Sequence, residues 1–428
     1  MFKTIRNAWK IEELRRKILF TLFILLLYRL GNAVPVPYVD TAMLSTYFDN
    51  LQNTVLGLYN VMSGSSFSRA TIFALSIQPY INASIIIQLL CIAIPALERL
   101  TKEGGEEGKR KIERITRYST VAIGLIQGFA YYILIKNNNI LTTEGSGTWA
   151  AIVIILTFCA GSALLMWMGE QITEFGIGNG ISIILFVSIV SRFPTGLANM
   201  VSSVSADPSK WWIYVLMLLG ALVLVILIVI VTNAERRIPI QYSKRVVGRK
   251  MYGGQSTHLP MKVNMSGVLP IIFAQSIASL PATVAAFVPR WSEGAFIKFF
   301  DTNGVPYIIL YVLLIIFFSY FYSTIQFNPI EVANNLKKNG GFIPGFRAGK
   351  PTSEFLSKVL SKITLFGAVY LAIMAACPLI VSLCSKTAAS SGISLGGTSI
   401  IIVVGVALET VKALEAQMLM RHYKGFLE

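Results

Sequence analysis

The chain has 428 residues, 54% of them hydrophobic and only 14% charged, and a formal net charge of +16 from 37 Lys and Arg against 21 Asp and Glu. Soluble globular chains carry roughly 25% charged residues, and in water this composition would expose an apolar surface that soluble monomers avoid. An ordinary soluble domain is excluded, and the basic excess fits either nucleic acid or loops that face anionic lipid.

Stretches without Asp, Glu, Lys or Arg that are about 20 residues long match a hydrocarbon core of ~30 Å. The first in chain order, 18–34, follows a basic tail and holds Arg29 near its end, where the guanidinium can snorkel to the interface. The segment after it, Asn32 to Pro37, has no convincing small-x-small cleavage site, so the span is read as a retained helix. Clear apolar spans follow at 70–97, 118–135 and 145–169. A shorter one at 175–191 opens on a Gly-rich turn, and spans at 211–234, 263–289, 302–330, 363–385 and 387–408 complete a set of ten.

The charges sort by side. With the N-terminus inside, the N-terminal tail carries six Lys/Arg, the loops 98–117 and 235–262 seven each, the loop 331–362 six and the C-terminal segment three. The opposite side collects only Arg69, Lys136, Arg192, Lys210, Arg290, Lys298 and Lys386. The positive-inside rule puts both termini in the cytoplasm. Topology signalling accounts for most of the basicity, which disfavours nucleic-acid binding as the main role.

Cys91, Cys159, Cys377 and Cys384 all fall in apolar segments without metal-ligand spacing, and the only histidines are His258 and His422. No cofactor, metal centre or catalytic triad is expected. The chain carries no phosphate-binding Gly-x4-Gly-Lys-Ser/Thr loop, so no ATP hydrolysis of its own is expected.

Ten spans divide into five and five, and two five-helix units are inverted relative to each other, with a pathway expected at their interface. The second span of each half carries a weak echo: Gln78-Pro79-Tyr80-Ile81-Asn82 in one and Leu269-Pro270-Ile271-Ile272-Phe273-Ala274-Gln275-Ser276 in the other. Each has a Pro near one end, then amides and small residues at membrane depth. Such interruptions point to a working site, although Pro is also simply tolerated in membrane helices. Intramembrane ionisable groups, the usual marks of ion and proton routes, are nearly absent; Arg29, Lys136 and Glu409 lie near span ends. An aliphatic pathway can seal against water by dewetting. The loops 235–262 and 331–362 are far longer than the usual connection of about 4–6 residues; they suit docking of a large partner, or serve as solvated topology loops.

Five motifs carry a resemblance. They are the run from Leu75 to Leu90 around Gln78-Pro79-Tyr80-Ile81-Asn82, and the run from Gly169 to Ser182 with Gly178-Asn179-Gly180. Three more lie in the loops: Glu235-Arg236-Arg237-Ile238-Pro239-Ile240-Gln241-Tyr242, Gln255-Ser256-Thr257-His258-Leu259-Pro260, and Asn339-Gly340-Gly341-Phe342-Ile343-Pro344-Gly345-Phe346-Arg347. Over essentially its whole length the chain resembles the SecY/Sec61-alpha family, whose bacterial members form the central channel of the Sec protein translocase.

The resemblance implies an all-α integral membrane protein of ten transmembrane helices, in two inverted five-helix halves, 1–195 and 196–428, closed like a clamshell around a pore. It implies a constriction ring of Ile81, Ile85, Ile181, Leu185, Ile272 and Ile402; Leu185 stands where the family usually has isoleucine. The stretch 56–68 would be a plug, centred on Leu58, Tyr59, Asn60, Val61, Met62, Ser63, Gly64 and Ser65; without the resemblance it reads as an external loop. The second and seventh helices, with the third and eighth beside them, would form a lateral gate with polar residues Gln78, Asn82, Gln275 and Ser276. Arg236, Arg237 and Arg347 would dock the SecA ATPase or the ribosome. SecE and SecG subunits, signal peptides, nascent membrane proteins and the lipid of a bacterial plasma membrane are the further partners implied. A small-solute transporter fits the five-plus-five pattern equally; the dearth of intramembrane charge and the long loops count against it. An intramembrane enzyme is a more distant reading, since no catalytic pair lies at membrane depth.

Overall fold

The computed structural model of the chain describes residues 2–49, 55–102, 104–206, 208–242, 245–247, 250–252, 256–265, 267–287, 304–384 and 396–424. Arg290, Lys298, Lys386, Lys244, Arg249 and the first part of the tenth span lie outside these. Every expected span holds a helix. In chain order these are α1 (Glu12–Gly31), α2 (Gln78–Ala93), α3 (Gly105–Asn137), α4 (Thr148–Phe175) and α5 (Gly180–Val190), then α6 (Trp211–Asn233), α7 (Leu269–Phe287), α8 (Val305–Gln326), α9 (Lys350–Cys384) and α10 (Gly396–Lys424). Among the described residues six helices are long and apolar enough to cross a membrane, or seven if the bent pair Gln78–Ala93 and Pro95–Thr101 counts as one span.

The second span is not one straight helix. Residues up to Ile77 run as turns, α2 occupies only Gln78–Ala93, and the chain bends by 104° before Pro95–Thr101. Two prolines set these limits. Pro79 sits in the first turn, where its missing N–H costs nothing, and Pro95 forces Ile94 into an extended conformation that ends the helix. Pro270 likewise is the second residue of α7. The echoing prolines therefore mark where two helices begin at membrane depth, not breaks within them.

The basic loops are also more ordered than charge alone suggests. Most of 98–117 is helical, because α3 starts at Gly105 with Glu106 and Glu107 in its first turn, where carboxylates complement the helix dipole. Arg117 Nε donates to Glu170 Oε1 at 2.8 Å and ties α3 to α4. The two longest loops build a small sheet, a departure from a purely helical fold. Strand β1 (Glu235–Tyr242) pairs antiparallel with β4 (Ser256–Lys262), from Glu235 opposite Lys262 to Gln241 opposite Ser256. Strands β2 (Arg245–Val247) and β3 (Lys250–Tyr252) pair with each other beyond it. Strand β5 (Gly341–Phe342), from the other loop, adds to the free edge of β1. Alternation in β1 turns Ile238 and Ile240 inward, and Ile238 packs with Met261, Ile343 and Leu356.

Packing links the elements face by face. The N-terminal helix Phe2–Lys10 lies on α10, with Thr4 Oγ1 donating to Glu415 Oε1 at 3.2 Å. Ala8, Leu14, Ile177 and Leu414 fill the contact, so the two ends of the described chain share one face. On the opposite face the 33–49 segment bridges to Thr71 through Pro35 and to Leu141 through Val39, over buried Phe48, Phe67, Tyr131 and Phe158. The largest apolar cluster lies between these faces and draws on α1, α2 and every helix from α4 to α10.

The crossing of α4 and α5 requires a glycine. A Cβ at Gly180 would stand 2.0 Å from Gly169 O, whereas one at Gly196 would meet nothing within 4 Å. Gly180→Ala should therefore force α5 off α4 and lower stability by about 1–3 kcal/mol. Gly196→Ala should leave stability within about 0.5 kcal/mol or raise it slightly. Thermal unfolding of the detergent-solubilised protein measures both; equal midpoints would contradict the close crossing.

Candidate functional site

The six residues expected at a constriction converge. Ile81, Ile85, Leu185, Ile272 and Ile402 are all buried in the central apolar cluster, and half-buried Ile181 packs against it. Helix geometry explains the convergence. Ile81 with Ile85, and Ile181 with Leu185, are i,i+4 pairs, each on one face of its helix. Asn179 fixes the entry of α5: its side chain accepts from Ser182 N at 3.2 Å and caps the helix. Fully burying an aliphatic side chain contributes roughly 1.5–3 kcal/mol, and these side chains offer water no partner.

The stretch expected as a plug is a short helix, Val55–Met62, followed by turns to Ile77. Leu58, Tyr59, Asn60, Val61 and Met62 lie in the helix and Ser63, Gly64 and Ser65 in the turn. The turn closes on itself: Asn60 O accepts from Ser65 N at 2.9 Å, Asn60 Oδ1 accepts from Ser68 N at 3.0 Å, and Ser63 Oγ accepts from Phe67 N at 3.1 Å. Gly64, at φ +66, lets the turn approach α5 closely; a Cβ there would stand 2.8 Å from Ser188 O. Ser65, Ala70 and Ser76 also have positive φ, at 70°, 42° and 51°. Left-handed non-glycine residues cost of order 1 kcal/mol or more each. Three in one segment make it a strained connection held down by its surroundings.

What holds it is a joint among three elements. The helix Val55–Met62 packs on α5 and α7, and α7 packs on α2 and α3. At the centre, Gln78 Nε2 of α2 donates to Met62 Sδ at 3.1 Å and Gln275 Nε2 of α7 donates to the same sulfur at 3.5 Å. A thioether is a weak acceptor. Gln78 Oε1 and Gln275 Oε1 are buried without a partner among the described residues, and an unpaired buried acceptor costs about 1–3 kcal/mol. Asn82, one turn beyond Gln78, and Ser276, beside Gln275, are buried along the same seam. The α2–α7 contact is thus closed but poorly satisfied. Nearer the basic face Tyr322 Oη of α8 donates to Gln88 Oε1 of α2.

The three arginines do not meet at one point. Arg236 and Arg237 lie exposed on β1, where Arg237 pairs with Glu235 at 2.7 Å, and exposed Arg347 follows β5. The sheet nevertheless joins the two loops that carry them.

Comparison with known proteins fits this arrangement. The SecY family model matches residues 71–411. The protein translocase subunit SecY of Streptomyces scabiei is 44% identical over 443 residues and covers 100% of both chains. That of Thermotoga maritima is 40% identical over 435 residues, covering 100% of this chain and 98% of its own.

The chain belongs to the SecY family.

Solved structures share the fold at lower identity. A protein conducting channel superposes with a TM-score of 0.68 at 17% identity, over 94% of this chain and 92% of that one. A SecY channel studied for its plug domain gives 0.65 at 16%, over the same shares. Sec61 of the canine ribosome-channel complex gives 0.64 at 16%, again over 94% and 92%. This SecY-family chain is therefore a multi-pass membrane protein with the ten-helix clamshell of those channels. Sequence reasoning missed Met62 as the common acceptor of both glutamines, and it missed the Tyr322–Gln88 bond. Gln88 stands inside the Leu75 to Leu90 motif, and an amide at membrane depth is itself a signal; Tyr322 carries none.

Tyr322→Phe keeps the ring and removes the bond across α2 and α8, worth about 1 kcal/mol. The separated state of these helices should rise about fivefold, read as distance between spin labels on α2 and α8. An unchanged distance distribution would contradict a role for this bond in closure.

Proposed function

We propose that this chain is the protein-conducting channel of a bacterial plasma membrane, in its idle state. One observation carries the reading: apolar side chains from both halves, 1–195 and 196–428, meet in a single buried cluster that takes in Met62 at the end of the helix Val55–Met62. Ile81, Ile85, Ile181, Leu185, Ile272 and Ile402 are the ring that seals against water and ions while admitting side chains of any chemistry. The stretch 56–68 is the plug; the plug domain of a SecY protein is described as stabilising the closed state of its translocation channel. Gln78, Asn82, Gln275 and Ser276 line the lateral gate between α2 and α7, through which signal peptides and nascent membrane segments leave for lipid. Met62 couples the two devices. Parting α2 from α7 breaks at least one bond to its sulfur, so opening the gate loosens the hold on the plug.

The chain drives nothing and catalyses nothing itself. Its two long loops, united in the sheet around β1, carry Arg236, Arg237 and Arg347 toward a motor such as SecA or toward the ribosome, the partner named for the canine Sec61 neighbour. The charge map sets this face, with both termini, in the cytoplasm. SecE and SecG are the membrane subunits expected beside it. The nearly unburied α6, with a mean hydropathy of 3.3, supports contact with lipid and such partners.

Ile402→Ser and Ile272→Ser should each remove about 1.5–2 kcal/mol of closed-state burial and raise the frequency of ion-conducting openings roughly tenfold. Single-channel recording of the reconstituted complex tests this. Unchanged leak in both variants would refute the ring assignment.

A further inference from the structure

A cavity of about 270 Å³ opens on the face that carries the long loops. Its inner wall includes Leu185 and Ile272 of the proposed ring, and Asn179, Ser182 and Gln326 supply neutral polar groups. Glu409 of α10 is the one ionisable side chain in its lining among the described residues. It is exposed, and it follows Ile402 by seven residues on the same helix face, which sets it about 10 Å from the ring along the axis. Asn179 is occupied in capping α5, whereas Glu409 makes no hydrogen bond or ion pair among the described residues. Lys262 and Lys412 are the cations within electrostatic reach of it, and neither comes within 4 Å.

The setting gives this carboxylate a consequence. The segments that the charge map assigns to this face carry 29 Lys and Arg against 15 Asp and Glu, and such a net positive field repels a polypeptide that arrives with positive charge. A lone acid at the mouth of an apolar constriction supplies local relief. In a narrow cavity with few competing groups, an ion pair is screened less than on open surface. An apolar segment reaching the ring along α10 carries its flanking residues past Glu409 at about the two-turn distance that separates Glu409 from Ile402.

We propose that Glu409 is a specificity-determining residue for the cargo: it pairs with a Lys or Arg side chain that flanks an apolar segment, and holds that end at the cavity while the segment enters the seam. The proposal rests on the polypeptide-channel reading above.

The test uses the full chain with its membrane subunits and motor in proteoliposomes, and two cargoes identical except for Lys-Lys or Gln-Gln before the apolar segment. In the wild type, the Lys cargo should enter faster, and the advantage should shrink as salt rises. Glu409→Gln should cut the Lys-to-Gln rate ratio about fivefold, Glu409→Asp should keep most of it, and Glu409→Lys should favour a cargo flanked by Asp-Asp. A ratio unchanged in Glu409→Gln, an equal slowing of both cargoes, or a wild-type ratio indifferent to salt overturns the proposal and leaves the channel reading standing. A wild type that moves neither cargo overturns the channel reading itself.

Discussion

The proposed channel depends on one constraint: its two halves must meet along a surface that excludes water when closed and can part again. Apolar packing in a bilayer provides little net drive between helices, because lipid is as apolar as the side chains it replaces. In the proposed channel, closure must therefore come from shape, from a few polar contacts and from the proposed plug. The central cluster supplies the shape, with isoleucines from α2, α5, α7 and α10 interdigitating. Along the α2–α7–α8 seam the polar contacts among the described residues include one sulfur shared by two amides and one tyrosine on one glutamine. A fully satisfied network here would lock the seam. With two acyl oxygens unpaired among the described residues, the proposed gate would sit closer to balance, where a modest differential affinity for an open form can shift it.

The same balance explains the backbone. A non-helical run precedes α2 at membrane depth, which is tolerated only where protein buries it. Here Phe67 stacks on Tyr131 at 4.3 Å, Phe73 stacks on Tyr28 at 5.8 Å, and Tyr28 and Ser188 hydroxyls pair at 2.6 Å. These contacts hold the run between α1, α3 and α5 while its left-handed residues remain strained. The packed helices thus hold down a run whose backbone is strained.

Much of this is legible in the sequence. Eight of the ten spans follow from charge-free length, while 18–34 carries Arg29 and 175–191 is short; the clustering of Lys and Arg sets the expected sides. The i,i+4 spacing of Ile81 with Ile85, and of Ile181 with Leu185, is enough by itself to set each pair on one helix face. What stays hidden depends on tertiary contact. Pro79 and Pro270 read as interruptions because a proline signals a helix boundary without saying which end it marks. The sheet linking 235–262 to 341–342 is obscured by charge: Arg236 and Arg237 make β1 look like a solvated loop, and only Ile238 and Ile240 alternate. Met62 is an ordinary thioether until its neighbours are known.

If the ring shared by both halves is the polypeptide's route, a translocating chain must touch it. A photo-crosslinking residue in place of Ile402, and another in place of the outward-facing Phe317 of α8, tests this against a chain arrested midway. Passage through the ring gives adducts from position 402 and none from 317. Adducts from 317 alone, or from neither position while translocation proceeds, would contradict it.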